Sequence, residues 1–230
     1  MMQSNLLVIG QKYKTILNNC ENLNNKILWI PDNPFVDRRL AGHADLSIFY
    51  HRGVIYAAKY LESCLKLRNC IFLDDFIGEK YPFDVKFNAC SLGDTVILNE
   101  STVSHKIFDI VKGEGSRIIS VKQGYTKCNT LVLNDNTIIT SDSGIEITAR
   151  SNNLNVLKIS EGSVTLEGFP YGFIGGCGFM YNSNTLVLTG TLKRHPDEDR
   201  IIDFCRNLDI SIEYLTDNDI FDIGGIIKAE

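Results

Sequence analysis

A short run of aliphatic and β-branched residues recurs five times along the chain, and this repeat restricts the fold more than any other feature. The runs begin at residues 6, 46, 95, 130 and 185, on average about 45 residues apart. With the residue before it, each of the last two runs reads Asn-Thr-Leu-Val-Leu. Such runs are typical of short buried strands. The repeat therefore indicates five like units, none of which can bury a core alone.

The segments that follow the runs predict the order strand, strand, helix, strand in each unit. Helical periodicity occurs over residues 56–67, 105–111, 145–150 and 199–207, and a further strand-like run follows each of these stretches. Alternating α and β segments around a shared core are typical of an α/β protein. No linker rich in Pro, Ser or Gly divides the chain. We therefore predict a single α/β domain over residues 1–230.

Composition and charge exclude several classes of partner. The net charge is −5, and the largest basic clusters, Arg38-Arg39 and Lys193-Arg194, hold two positive charges each. A nucleic-acid-binding protein needs a basic stripe, so we expect no nucleic-acid partner. No apolar run approaches the 18 residues of a membrane span, and the first residues lack the features of a signal peptide. We therefore expect a soluble, cytoplasmic protein without a membrane partner.

The cysteine pattern excludes a disulfide framework and a zinc finger. The seven cysteines are odd in number and form no Cys-x-x-Cys pair; they are Cys20, Cys64, Cys70, Cys90, Cys128, Cys177 and Cys205. A metal site made of His43, Asp45, Cys128 and Cys177 has suitable ligand types, but its spacing fits no familiar zinc motif. We therefore predict neither a metal ion nor an organic cofactor.

Residues that could carry chemistry concentrate just before the strand-like runs. In a ring of like units, these segments would face one central opening. Three of them contain a cysteine, namely 89–94, 122–129 and 172–178, and a fourth, 42–45, reads Gly-His-Ala-Asp. This convergence predicts a central site.

Within that site, Cys177 is the predicted nucleophile. Glycines around Cys177 would let backbone N–H groups stabilise a thiolate near a histidine. His43 and Asp45, two positions apart, would share one face of an extended segment, where His43 could transfer protons and Asp45 could bind a cation. The alternatives are a tight turn with a buried cysteine and a turn with a hydrogen-bonded histidine. The predicted substrate-binding residues are Asn33, Asp37, Arg39, Tyr125, Lys127, Cys128, Gly175 and Gly176.

These features resemble the pentein superfamily, the five-bladed α/β propellers of guanidino-modifying enzymes. Gly42-His43-Ala44-Asp45 matches the Gly-His-x-Asp that precedes a strand in that superfamily, and Gly175-Gly176-Cys177 resembles its cysteine-bearing loop. The resemblance implies ββαβ units around a pseudo-fivefold axis. It also implies that Cys177 attacks a guanidinium carbon, His43 shuttles protons and Asp45 binds the guanidinium. Residues 121–128 and 172–176 look more narrowly like a small uncharacterised bacterial family within that fold.

Two functions follow from the resemblance. One is a hydrolase or amidinotransferase that acts on a small guanidino-type cation through a covalent thiouronium at Cys177. The other is a non-catalytic pentein-fold protein that binds a small ligand or docks a partner, because the same fold occurs in a ribosome anti-association factor. A redox or metal site at Cys128 and Cys177 is a third alternative.

Overall fold

The computed structural model describes residues 6–17 and 26–229, which leaves Cys20 outside the described residues. Within them lie five three-stranded sheets. The strands are β1 (Leu6–Gly10), β2 (Lys26–Ile30), β3 (Ile48–His51), β4 (Val54–Ala58), β5 (Cys70–Leu73), β6 (Cys90–Leu92), β7 (Thr95–Leu98), β8 (Arg117–Ser120), β9 (Thr130–Asn134), β10 (Thr137–Thr140), β11 (Asn155–Lys158), β12 (Gly178–Asn182), β13 (Thr185–Leu188), β14 (Ser211–Tyr214) and β15 (Ile227–Ala229). The helices are α1 (His105–Gly113), α2 (Ser143–Ser151) and α3 (Glu198–Arg206).

All five sheets share one topology. The middle strand is antiparallel to an inner strand and parallel to an outer strand, as β7 is to β6 and β8. Helices α1, α2 and α3 connect the middle strand to the outer strand in the third, fourth and fifth sheets. The fold is therefore the predicted α/β propeller of five units, which we call blades. Three blades have an α-helix between the middle and outer strands, and in the second blade a 3₁₀ turn, Lys59–Leu61, lies at that place.

The first blade joins the two ends of the described chain. Strand β15 pairs antiparallel with β1, so that Leu6 lies opposite Ala229 and Val8 lies opposite Ile227. The inner strands β3, β6, β9, β12 and β15 all contribute residues to one central cavity. The β1–β15 pair therefore closes the ring of blades around that cavity.

Hydrophobic clusters lie between neighbouring blades. One cluster joins Phe49 and Tyr56 of the second blade to Val96 and Leu98 of the third. Three more clusters join the next pairs of blades and the first blade to the second. The fifth joins Leu7 of β1 to Val187 of β13, and so closes the ring through packing as well. Since burial of one such side chain contributes about 1.5–3 kcal/mol, each blade depends on its neighbours for a core.

The predicted helix over residues 56–67 is wrong. Residues 54–58 form β4, and a single 3₁₀ turn, Lys59–Leu61, follows. Tyr56, Ala57 and Ala58 are all buried because β4 is a middle strand covered on both faces. A continuous apolar run of this kind does not distinguish a buried strand from a helix.

The five recurring runs lie one in each blade, but at two different positions. Those that begin at residues 6, 95 and 185 are the middle strands β1, β7 and β13. Those that begin at residues 46 and 130 correspond to the inner strands β3 and β9. Both positions are buried and select the same residue types, so composition does not separate them. The equivalent segments before the five inner strands include a fifth one, residues 222–226.

Candidate functional site

A pocket of about 280 Å³ lies where these segments before the inner strands meet. Five of its lining residues carry polar groups: His43, Tyr125, Cys128, Tyr171 and Asp222. The others are apolar: Leu40, Leu46, Leu166, Phe169, Pro170 and Phe173. The pocket therefore combines an apolar wall with a small set of ionisable groups, as ligand sites commonly do.

The thiol of Cys128 is held by two buried side chains. Its Sγ–H donates to Oδ2 of Asp45 over 3.1 Å, and Nδ2 of Asn88 lies 3.1 Å from the sulfur. Oδ1 of Asn88 accepts the backbone N–H groups of Lys127 and Cys128, at 2.7 Å and 3.2 Å. Asn88 therefore fixes both the loop and the direction of the thiol.

Asp222 comes from the last of these segments, and two backbone amides fix its carboxylate. Oδ2 accepts from the N–H of Phe173 at 2.9 Å, and Oδ1 accepts from the N–H of Gly224 at 2.8 Å. A Cβ at Gly176 would lie 1.8 Å from Oδ1, so the glycine makes room for this carboxylate. Nδ1 of His43 lies 3.9 Å from the same oxygen.

Gly224 brings the first and last of these segments together. Its backbone has a φ of +70°, and a Cβ there would lie 2.2 Å from the Cβ of His43. The N–H of Asp45 donates to the carbonyl of Gly224 at 3.0 Å. Only glycine allows both the left-handed backbone and this close approach.

Burial sets the protonation of the site. Burial, with the charge of Asp222, raises the pKa of Asp45 to about 7 against the opposing charge of Lys127. Burial lowers the pKa of His43, which is therefore neutral at pH 7. Burial and the charges of Asp45 and Asp222 raise the pKa of the Cys128 thiol. At neutral pH the site therefore holds a thiol and a neutral imidazole, and an added positive charge favours the thiolate.

Two buried polar atoms at the site have no hydrogen-bond partner among the described residues. They are Nε2 of His43 and Oδ1 of Asp45. Buried polar atoms are nearly always satisfied by protein or water, so unpaired ones call for an explanation. His43 lines the pocket, and Asp45 lines the central cavity on the other side of Cys128. An unpaired nitrogen at the pocket is available to a ligand or a water molecule.

Cys177, the predicted nucleophile, does not line this pocket. It belongs to the hydrophobic cluster between the fourth and fifth blades, and its Sγ–H donates to the carbonyl of Phe173 at 3.1 Å. Burial and the charge of Asp222 raise the pKa of its thiol. The structure therefore places Cys177 behind the pocket and Cys128 on its wall. The catalytic role of Cys177 stays a prediction.

Three of the predicted substrate-binding residues, Lys127, Cys128 and Gly175, form contacts between the segments before β9 and β12. Nζ of Lys127 donates to the carbonyl of Gly175 at 2.8 Å, and Lys127 lines the central cavity, whose volume is about 750 Å³. The N–H of Gly175 donates to the carbonyl of Cys128 at 2.7 Å, and a Cβ at Gly175 would lie 2.1 Å from the carbonyl oxygen of Lys127. These contacts bind the segments before β9 and β12 to each other. Tyr125 lines the pocket, and its hydroxyl donates to Asp84.

The predicted residues of the 33–39 loop do not line the pocket. Asn33 is buried and donates to the Ser47 hydroxyl at 2.9 Å. Asp37 and Arg39 form an exposed ion pair at 2.6 Å. The Arg39 guanidinium lies 4.2 Å from the ring centroid of Phe169, a pocket residue. The loop thus supports the pocket wall from outside.

Sequence reasoning missed Asp222 and Asn88. The signal for Asp222 is the pair Gly224-Gly225 before the apolar Ile226-Ile227, which repeats the Gly175-Gly176 pattern before β12. Asn88 stands two residues before Cys90, in a segment noted only for its cysteine. Across residues 6–17 and 26–229, no three His, Cys, Asp or Glu side chains are grouped so that they could hold a metal ion. None of the helices in that part of the chain is long and apolar enough to cross a membrane.

Five three-stranded blades arranged around one central cavity are the architecture of the pentein fold, the fold of guanidino-modifying enzymes. At the level of the family, the chain belongs to the family of unknown function DUF6873, whose model matches residues 7–227. No curated protein matches the sequence.

Solved structures of pentein enzymes are similar to this chain over nearly its whole length. Dimethylarginine dimethylaminohydrolase from Pseudomonas aeruginosa, as a cysteine-to-serine variant complexed with citrulline, has a TM-score of 0.59 at 9% identity and covers 98% of this chain and 96% of its own. Agmatine deiminase from C. jejuni has a TM-score of 0.57 at 8% identity, with coverages of 99% and 93%. The amidinotransferase SxtG from Microseira wollei has a TM-score of 0.55 at 6% identity, with coverages of 89% and 74%. At these identities the similarity establishes the fold.

Proposed function

We propose that this protein is a guanidino- or amidino-modifying enzyme that acts in the 280 Å³ pocket through the thiol of Cys128. The observation that carries the proposal is the hydrogen bond from this thiol to Asp45, whose pKa of about 7 suits a general base. Solved neighbours of the same fold act on dimethylarginine and agmatine or transfer an amidino group, which supports a guanidino-type substrate.

Asp222 is the proposed anchor of the substrate cation. Its carboxylate lines the pocket, and two backbone amides already orient it. A guanidinium binds a carboxylate through two parallel N–H donors. The rings of Tyr125 and Phe173, whose centroids are 6.0 Å apart, add aromatic faces that attract a planar cation.

The first half of the reaction forms a covalent intermediate. Asp45 takes the Sγ proton of Cys128, and the thiolate attacks the central carbon of the guanidinium. The bond from this carbon to the departing nitrogen breaks, and the amine leaves with the proton that Asp45 had received. The amidino group is then bound to Cys128 as a thiouronium.

The second half releases the thiol. In a hydrolase, water attacks the thiouronium carbon and gives a proton to the unpartnered Nε2 of His43. As the C–S bond breaks and the carbonyl of the urea product forms, the hydroxyl proton of the tetrahedral intermediate passes to the sulfur of Cys128. His43 then releases its proton to solvent. In an amidinotransferase, an acceptor amine takes the place of the water. His43 suits the role of base because burial lowers its pKa and leaves it neutral.

Selective alkylation tests the proposal. The cationic electrophile 2-chloroacetamidine and the neutral 2-chloroacetamide are compared at pH 7 by peptide mapping, with the exposed thiol of Cys64 as internal reference. Relative to Cys64, we expect the cation to label Cys128 at least tenfold faster than the neutral reagent does, because its charge favours the thiolate. Cys128→Ser should abolish this labelling and Asp222→Asn should reduce it, whereas Cys205→Ser, in α3, should leave it unchanged.

Other outcomes of the same experiment contradict the proposal. Preferential labelling of Cys177 would show that Cys177, as the sequence predicted, and not Cys128 is the reactive thiol. Equally slow labelling of both thiols would favour a non-catalytic binding protein. The raised pKa values of the two buried thiols are the observation that supports this alternative.

A further inference from the structure

The largely apolar wall of the pocket restricts which groups a ligand can carry besides its cationic head. Leu166, Phe169, Tyr171 and Phe173 form much of it, and neither lysine nor arginine is among its lining residues. At about 280 Å³, the pocket lies near the lower end of the range for small-molecule sites. It can hold a small, largely apolar ligand.

Three cationic side chains of the surrounding segments, Lys12, Arg39 and Lys127, form hydrogen bonds with groups outside the pocket. Arg39 donates to both carboxylate oxygens of Asp37 and to the carbonyl of Gly168. Lys12 donates to the backbone carbonyl of Arg39 at 2.9 Å. Lys127 donates to the carbonyl of Gly175 and lines the central cavity instead of the pocket. A carboxylate in the pocket would therefore have no positive partner among the described residues.

The electrostatic field of the pocket also opposes an anionic ligand. Asp222 lines it, Asp84 accepts a hydrogen bond from Tyr125 at its wall, and Asp45 lies behind Cys128. A ligand carboxylate would lose its hydration next to these acids without gaining an ion pair. Desolvation and like charges act in the same direction here.

We propose that the ligand of this pocket is a guanidinium or amidinium on an apolar or aromatic body that carries no carboxylate. The cationic head pairs with Asp222, and the body packs on Phe169, Tyr171 and Phe173. This inference rests on the proposed guanidino chemistry of the pocket and narrows its substrate class. Citrulline, with which the Pseudomonas enzyme was crystallised, carries a carboxylate and belongs to a different class of ligand.

A pair of ligands that differ by one group tests the inference. Pentylguanidine and 5-guanidinopentanoate share a chain length and differ in the terminal carboxylate. Their dissociation constants are measured by calorimetry, and each ligand is tested for protection of Cys128 against 2-chloroacetamidine. We expect pentylguanidine to bind at least tenfold more tightly. Phenethylguanidine should also bind, and Phe173→Ala should weaken it at least fivefold.

A variant with an added positive charge in the pocket should improve the binding of the ligand that carries a carboxylate. Leu166→Arg adds a cation to the pocket wall and should improve the affinity of 5-guanidinopentanoate relative to pentylguanidine at least fivefold. Ile16→Arg is the matched control, because Ile16 is half exposed and lines a neighbouring depression instead of this pocket. It should leave the ratio unchanged.

The outcomes separate the two proposals. If 5-guanidinopentanoate binds as tightly as pentylguanidine or more tightly, the inference is overturned while the guanidino chemistry stands. If neither ligand binds and 2-chloroacetamidine shows no preference for Cys128, both proposals fail together. Preference for pentylguanidine with protection of Cys128 supports both.

Discussion

Asp45 is a buried acid, and its burial disfavours the ionised form that the proposed role as a general base requires. Its side chain is 1% exposed, and Oδ2 accepts the thiol proton of Cys128. Oδ1 has no partner among the described residues. Asn88 and Lys127 support this arrangement with a hydrogen bond to the thiol and a nearby positive charge. A carboxyl group held in this way keeps its proton up to nearly neutral pH.

Asp45→Asn should therefore change how stability depends on pH. The folded carboxyl binds its proton more tightly than the unfolded one, because burial raises its pKa from 3.8 to about 7. The wild-type protein therefore loses stability as the pH rises from about 4 to above 7, because the folded protein must then ionise a buried carboxyl group. The asparagine variant has no carboxyl group at this position and does not show this loss. At 1.36 kcal/mol per pKa unit, we expect the free energy of unfolding of the variant to gain about 2–4 kcal/mol on the wild type between pH 4 and 8.

Urea denaturation across this pH range measures the effect. Asp217→Asn serves as the control, because Asp217 is exposed and its removal should leave the pH dependence unchanged. A constant difference between Asp45→Asn and the wild type at all pH values would contradict the raised pKa.

Gly224 shows how one backbone position holds the site together. In Gly224→Ala, the Cβ would meet His43 and the residue would keep a φ of +70°. Gly162→Ala measures the effect of the positive φ alone, because Gly162 has a φ of +85° and a Cβ there would have nothing within 4 Å. We expect Gly162→Ala to cost about 1–2 kcal/mol in the free energy of unfolding. Gly224→Ala should cost clearly more; equal losses would contradict the close contact.

At the scale of elements, side-chain caps mark the start of the helices α1 and α2. Oγ of Ser104 accepts the backbone N–H groups of Lys106 and Ile107, and so caps α1. Asp142 does the same for α2 through the N–H of Ile145. The sequence analysis placed both helices correctly because their apolar period is a local signal.

Ser104→Ala should lower the free energy of unfolding by about 1 kcal/mol, the usual cost of removing an N-cap oxygen. Ser104→Thr keeps a hydroxyl at the same position and should recover most of the loss. Thermal or urea unfolding measures both variants. If the threonine variant is as unstable as the alanine variant, packing of the buried side chain and not the cap explains the effect.

The same scale shows where local signals fail. Residues 54–58 form the strand β4, although apolar spacing over 56–67 predicted a helix. The three runs in β1, β7 and β13 and the two in β3 and β9 also look alike in sequence, but they occupy different strand positions. Burial on both faces removes the alternation that identifies a strand and its place in the sheet.

For the whole molecule, closure of the ring by β15 is the decisive contact. Ile227 pairs with Val8 and packs in the cluster between the first and second blades. Ile227→Asn should therefore cost about 2–4 kcal/mol, because it removes a buried aliphatic side chain and buries an amide. Lys228→Asn is the matched control, because Lys228 is the next residue of the strand and is only partly buried, and it should cost less than about 1 kcal/mol.

Two probes reveal whether the blades unfold together. The sole tryptophan, Trp29, lies in β2 and reports on the first blade, whereas far-ultraviolet circular dichroism reports on all five. In a closed ring with shared clusters, both transitions should coincide and Ile227→Asn should shift them equally. Separate transitions would show that the first blade unfolds independently.

The sequence by itself determined the five-unit α/β architecture and four of the five segments that meet at the centre. Strand-like runs and helical periodicity depend on residues that are close together in sequence, so they can be recognised from the sequence alone. Only the tertiary structure decided that Cys128, and not Cys177, lines the pocket, and that Asp222 joins His43 there. Cys177 follows the 3₁₀ turn Ile174–Gly176 and points into the cluster between two blades. The direction of a side chain at a turn, and its partner from the far end of the chain, depend on how the blades pack, which no local pattern encodes.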